Sequence, residues 1–145
     1  MSTLKSIAIK TAPRAPMQEQ ESAEITIEKG ITGDLRGSQA GRQITILCES
    51  AWQNTCDEVN TELPWTTRRV NLLVDGVEFG EGDVGKTIRI GEVRLEITQE
   101  TYPCSLMDKQ HQGLRDALTP KWRGGVCCNV LSAGSIRVGD RVEID

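Results

Sequence analysis

Leu4 to Lys10 sets Leu4 and Ser6 against Lys5, Ile7 and Ile9, which reads as a short strand. A polar, proline-containing stretch from 11 to 22 follows and is expected as a mobile loop. Ala23–Glu28 and Arg42–Cys48 read as strands on either side of a glycine-punctuated loop, Gly30 to Gly41. Ser50 is the expected cap of a helix reaching Asn60, because Ala51, Trp52, Thr55, Cys56 and Val59 recur at spacings of three and four along one face. Leu63-Pro64-Trp65 ends it. From Arg69 the period returns to two: Val70–Val74, an Asp75-Gly76 turn, Val77–Phe79, Thr87–Ile90, Gly91-Glu92 and Val93–Ile97. Beyond Cys104, the positions of Leu106, Met107, His111, Leu114, Ala117 and Leu118 predict one or two short helices, broken near Gly113 and stopped by Pro120. Gly124–Leu131, Ser135–Val138 and Arg141–Ile144 complete the strands.

Many short strands with glycine turns and few short helices predict a mainly β chain, a β-barrel with helical insertions. At 145 residues the chain is expected to be one domain, 1–145. The net charge of −4 is the wrong overall sign for a nucleic-acid partner, and five aromatic residues are too few for a base-stacking platform. No apolar run approaches the roughly 18 residues of a membrane span, and the N-terminus lacks the apolar core of a signal peptide. A cytoplasmic protein is expected. Five cysteines, odd in number and irregularly spaced, fit free thiols in a reducing compartment better than a disulfide framework.

Gly80-Glu-Gly-Asp-Val-Gly-Lys86-Thr87 satisfies the literal P-loop pattern, but the residues after it alternate as a strand. A P-loop needs a helix there to face the phosphates, and Glu81 and Asp83 would repel them, so a turn is expected and no nucleotide. With one histidine and no Cys-x-x-Cys pair, the donor set argues against zinc. His111 stands seven residues after Cys104, about 10 Å along a continuous helix, too far for a thiolate–imidazole pair. Cys48 and Cys56 fit apolar faces of a strand and a helix. Cys127 and Cys128, adjacent on a strand, point to opposite faces. Cys104 differs from the other four. It follows a proline at a strand end and precedes a short helix, where a thiol can be exposed near helix N–H groups and favour its thiolate, a nucleophile and soft metal ligand.

Seven ordered pieces together resemble the MOSC domain, named after the C-terminal domain of molybdenum cofactor sulfurases. They are Gly33-Asp34, Arg42-Gln-Ile-Thr-Ile, Arg69-Val-Asn71-Leu-Leu-Val-Asp-Gly76, Val84-Gly-Lys-Thr-Ile-Arg-Ile-Gly91, Pro103-Cys104, Gly124-Gly125-Val and Gly134-Ser-Ile-Arg-Val-Gly-Asp140. The resemblance implies a barrel-like β fold whose characteristic cysteine, by its Pro-Cys context Cys104, carries sulfur or binds molybdenum. It implies molybdenum cofactor as the candidate ligand, a pterin-type molecule, with Gly33, Asp34, Arg36, Arg69, Asn71 and Gly125 as candidate contacts. Many relatives have a histidine soon after the Gly-Asp pair, whereas Leu35, Arg36 and Gly37 stand here. Arg36, Arg42, Arg68, Arg69 and Arg123 could meet a cofactor phosphate, since guanidinium matches phosphate bidentately. A solvated surface is the ordinary reading of each and outweighs binding for Arg36, Arg42 and Arg123.

Three functions stay open on this footing. Cys104 carries a persulfide between a sulfur donor and an acceptor. Alternatively, the domain retains molybdenum cofactor through Cys104 and reduces N-hydroxylated compounds with an electron-transfer protein as partner. The third is a non-catalytic interaction module.

Overall fold

A computed structural model describes residues 2–145. The strands, in chain order, are β1 (Leu4–Ile9), β2 (Gln18–Gln20), β3 (Ser22–Thr26), β4 (Gly30–Ile31), β5 (Ile44–Cys48), β6 (Leu72–Val74), β7 (Thr87–Ile90), β8 (Val93–Glu100), β9 (Val126–Ser132), β10 (Gly134–Arg137) and β11 (Val142–Ile144). Three short α-helices interrupt them: α1 (Glu49–Glu58), α2 (Ser105–Gln110) and α3 (Leu114–Leu118). Eight strands form one sheet in the order β11-β7-β8-β9-β5-β6-β1-β2, and β10-β3-β4 form a second. Among the described residues no helix is long and apolar enough to cross a membrane.

The chain is mainly β with few short helices, but the sheets do not close into the expected barrel. The reason lies in how β1 divides its edges. One edge pairs with β6 through Leu4, Ser6 and Ile7, while β2 occupies Ile7–Ile9 on the other. Only the residues around Thr3 are left to meet the β11 side, and they do so through one bridge pair, Thr3 and Arg141, flanked by backbone hydrogen bonds of Ser2 with Val142 and of Leu4 with Gly139 and Asp140, too short a contact to continue the sheet. The strand β2 also corrects the expectation of an uninterrupted loop over 11–22, since Gln18–Gln20 pair antiparallel with β1.

Pairs of β5 and β6 residues run parallel, and α1 is carried on the connection between them. Because β5 is central, it is covered on both faces and all five residues are buried. Ile44, Ile46 and Cys48 face the main core with Leu72, Val74, Val126 and Cys128. Leu47 and Leu73 face the other way, against Trp52, Cys56, Met107, Leu114 and Leu118 of the helices. Ser50 does not cap α1: the chain leaves β5 in extended geometry at Cys48 and turns directly into helix at Glu49, leaving Ser50 inside the first turn. Glu49 there complements the positive end of the helix dipole.

The P-loop-like segment is a turn. Glu81–Asp83 form one 3-10 turn, Asp83 accepts a hydrogen bond from Gly80 N–H at 2.9 Å, and Thr87 opens strand β7.

Candidate functional site

Strand β8 ends at Glu100, and Thr101-Tyr102-Pro103 lead to Cys104, which stands in extended geometry as the residue capping α2. All five cysteines are free, and Cys104 alone is exposed. The side chain opens on a cavity of about 230 Å³ on the helical face of the sheet.

The cavity wall carries five cations, Lys10, Arg36, Arg42, Arg68 and Arg69, and one carboxylate, Asp34. That carboxylate is already engaged. It accepts hydrogen bonds from the N–H groups of Lys10 (3.1 Å) and Arg36 (3.3 Å) and from Asn71 Nδ2 (3.3 Å), which fixes the loop bearing Arg36. Among the described residues, none of the five cations is paired in a salt bridge. Excess positive charge in a confined space perturbs its members. Burial lowers the pKa of Lys10, aided by Arg69 and Arg36 and opposed by Asp34.

Arg68 is the most buried of the five cations, at 5% exposure. Its Nη2 donates to Thr101 O at 2.8 Å, whereas its Nε is buried without a partner. Burial, and next the neighbouring Arg42, push its pKa down to about 10, against the opposing influence of the Cys104 and Cys127 thiols. Arg68 therefore keeps its charge at neutral pH at an energetic cost. The Nε of Arg42 is likewise buried and unpartnered.

A local backbone feature brings Arg68 and Arg69 to one cavity, although neighbours on an extended strand would point apart. Arg68 ends a 3-10 turn, Trp65–Arg68, and Arg69 adopts the left-handed region at φ 64°, ψ 36°. Such a conformation costs a non-glycine residue of order 1 kcal/mol or more and persists where the surroundings enforce it. Arg69 also donates from Nη2 to Ala15 O at 3.3 Å, tying the loop before β2 to the cavity rim.

Beneath the cations lies a buried polar clamp. Asn71 Oδ1 accepts from Thr45 N–H (3.0 Å) and Thr45 Oγ1 (3.2 Å), while Nδ2 donates to Ala8 O (3.2 Å) as well as to Asp34. One side chain thus joins β5, β1 and the Gly33-Asp34 loop. The Gly124-Gly125 pair fits a different constraint. A Cβ on Gly124 would lie 2.4 Å from Thr101 O and 3.1 Å from Arg68 Nη2, and one on Gly125, at φ 97°, would lie 2.1 Å from Ile46 O. Both glycines allow β9 to start hard against the wall that holds Arg68.

A family model described as the MOSC domain matches residues 32–143. The chain belongs to the MOSC domain family. Among solved structures, this MOSC domain is similar to YuaD of Bacillus subtilis, with 17% identity, a TM-score of 0.81 and coverage of 99% of this chain and 96% of that one. YiiM of Geobacillus stearothermophilus gives 17% identity and a TM-score of 0.77, covering 100% of this chain and 75% of that one. YiiM of Escherichia coli gives 14% and 0.74, covering 99% and 69%. At these identities the likeness is one of fold. No curated protein matches the sequence.

Of the residues singled out in the sequence, the MOSC domain brings Cys104, Asp34, Arg36, Arg69 and Asn71 to one cavity, while Gly33 and Gly125 lie outside its lining. Arg42 and Arg68 join them, so both Arg36 and Arg42 line the cavity although a solvated surface is the ordinary reading of each from sequence. Arg123 does not: it pairs with Glu58 at 2.8 Å and donates to Ala117 O. His111 is half-buried against Val59 O at 3.3 Å and does not line the cavity. Lys10, Thr45 and Thr101 were missed, and only position near a strand end could have flagged them. So was the apolar rim, where Leu35, Tyr102 and Leu106 are exposed large hydrophobic side chains at 42%, 71% and 46%.

Proposed function

We propose that this MOSC domain is a sulfur carrier or molybdenum-cofactor-binding domain acting through Cys104, in a reducing cytoplasm where its thiols stay free. The observation that carries the reading is the pairing of the one exposed thiol with a cavity whose Arg42 and Arg68 each have a buried, unpartnered Nε and, among the described residues, no salt-bridge partner. In the carrier reaction, the Cys104 thiolate attacks the terminal sulfur of a donor persulfide, the donor thiolate leaves with the electron pair of the broken S–S bond, and Cys104 holds the sulfur as a persulfide. An acceptor nucleophile then takes the outer sulfur and Cys104 returns to thiolate.

The residues also fit a cofactor bearing phosphate, as two orphaned guanidinium Nε atoms and unpaired cations on the wall provide the charge such a group needs. Arg36, Arg42, Arg68 and Arg69 would hold the anionic end and Cys104 the metal. A molybdenum centre, when bound, supplies oxygen-atom and electron-transfer chemistry. The chain's own contribution is to orient the anion, hold the thiol at the rim, and fix Arg36 through Asp34.

Mass spectrometry of the intact protein, with molybdenum analysis, tests the reading. One extra sulfur on Cys104 is the expected outcome for the carrier, and stoichiometric molybdenum for the cofactor binder. The variant Cys104→Ser should fold normally and lose both, because an exposed side chain contributes little to packing. Undiminished loading in that variant would overturn the assignment.

A further inference from the structure

We infer that the Arg42–Arg68 wall is a binding site for a divalent tetrahedral oxyanion, and that the sulfur donor is of the thiosulfate class, its sulfonate held on this wall. The inference rests on the carrier reading above and names the donor for it.

Three observations combine. Arg68 is almost wholly buried, makes one hydrogen bond through Nη2, and leaves its Nε unpartnered. Arg42 repeats the orphaned Nε in the same wall. Two guanidiniums on one cavity wall, neither paired with a carboxylate, raise each other's cost, as the influence of Arg42 on Arg68 shows, and an anion bound to both would relieve it. Asp34, the one carboxylate in the lining among the described residues, bonds the backbone of Lys10 and Arg36 and the Asn71 amide, and no carboxylate among them pairs with Arg42 or Arg68.

The location favours a small donor carrying its own negative charge. Arg68 Nη2 sits on Thr101 O, three residues before Cys104, and the space of an absent Cβ on Gly124 touches both Arg68 Nη2 and Pro103. The wall is thus beside the segment that carries the thiol. A thiolate approaching a dianion is repelled in open water, and paired guanidiniums remove that repulsion while stabilising the departing anion. Leu35, Tyr102 and Leu106 add apolar surface to the lining of the same cavity, which lowers the local dielectric.

The step balances without an external redox partner. The Cys104 thiolate attacks the outer sulfur of thiosulfate, and a Cys104–sulfur bond forms. The donor's S–S bond breaks with its electron pair leaving on sulfite. The cysteine sulfur is formally oxidised to the persulfide level as the sulfonate sulfur is reduced to sulfite, and the total charge is unchanged.

The test compares two donors on the reduced protein: thiosulfate and an alkyl hydropersulfide, which has no tetrahedral oxyanion. Loading is read as the mass of one sulfur on Cys104, with sulfite release measured in parallel. Thiosulfate should load Cys104 with one sulfite released per sulfur retained, and inorganic sulfate should slow this loading competitively while leaving alkyl hydropersulfide loading unchanged. Arg68→Met should slow thiosulfate loading by about 10-fold or more, with Arg68→Lys intermediate. The sulfate competition on the unaltered protein stands independently of whether the variants fold. Loading by the alkyl donor but not by thiosulfate would overturn the donor assignment and leave the carrier reading in place. Loading by neither would remove both. Thiosulfate loading indifferent to sulfate would overturn the oxyanion wall.

Discussion

Cys127 and Cys128 are neighbours on β9, yet they look into two different proteins. Cys128 stands opposite Ile44 in the register and shares the main hydrophobic core with Ile46, Val126 and Ile97, where burial drives its thiol pKa upward. Cys127 stands opposite Thr45 and reaches Thr101 Oγ1 at 3.3 Å, on the face that carries Asn71 and Arg68. The same two strands therefore present a sealed apolar layer on one side and, on the other, a helix-covered apolar contact at Leu47 beside a polar patch around Thr45, Asn71 and Thr101. The difference teaches where function is located: the apolar face holds the sheet together, and the polar face, whose donors are not all satisfied, is available to a ligand.

The largest effect should come from the sealed face. Ile46 is fully buried between β6 and β9, and its carbonyl lies against Gly125. Ile46→Ala should cost about 2–5 kcal/mol, the range for truncating a core side chain, in a urea titration. The same experiment on Cys104→Ser should show no comparable loss. Equal losses would show that the two faces are not energetically distinct.

A sharper comparison uses the adjacent cysteines, since each substitution replaces sulfur by a hydroxyl. Cys128→Ser places a hydroxyl among apolar neighbours and should cost about 1–3 kcal/mol. Cys127→Ser finds Thr101 Oγ1 already within reach, and a formed hydrogen bond should hold its cost below about 1 kcal/mol. Reversal of that order would break the assignment of polar and apolar faces. Neither change should abolish sulfur loading of Cys104, as neither thiol is exposed.

How much of this was legible in the sequence follows from the range of each interaction. The Pro103-Cys104 turn, the β7–β8 hairpin and the absence of a helix after Lys86 are local, and residue order revealed them. The convergence of Lys10, Arg36, Arg42, Arg68 and Arg69 is not local, since these cations come from separate segments that only the β1-β6-β5 pairing brings together. Arg42 looks like any polar residue at a strand start until its Nε is seen to be buried. The open sheet was illegible for a related reason: alternation identifies strands but says nothing about which edge of β1 is taken first, and β2 claims one with three polar residues, Gln18–Gln20. Gly125 was visible as part of a motif, but its reason, close approach to Ile46 O, depends on a contact between strands far apart in sequence.

The smallest effect distinguishes the two ends of β6. At one end Asn71 serves the cavity, and at the other Asp75 serves the closure of the fold. Asp75 Oδ1 accepts from Thr3 N–H at 2.7 Å and from Thr3 Oγ1 at 3.0 Å, next to the lone bridge between Thr3 and Arg141. The Thr3 N–H holds the Asp75 pKa below its ordinary value of 3.8, with burial opposing and the Thr3 hydroxyl and Lys5 adding to the lowering. Since the folded carboxyl is the stronger acid, the unfolded chain binds more protons in this range. The stabilisation is complete above the unfolded value and is lost as pH falls through the folded one. Urea midpoints between about pH 5 and pH 3 should therefore fall less steeply for Asp75→Asn than for the unaltered protein, while sulfur loading at neutral pH stays the same. An identical slope in both would show that Asp75 does not hold the N-terminal strand, and altered loading would show that the two ends of β6 act on one site.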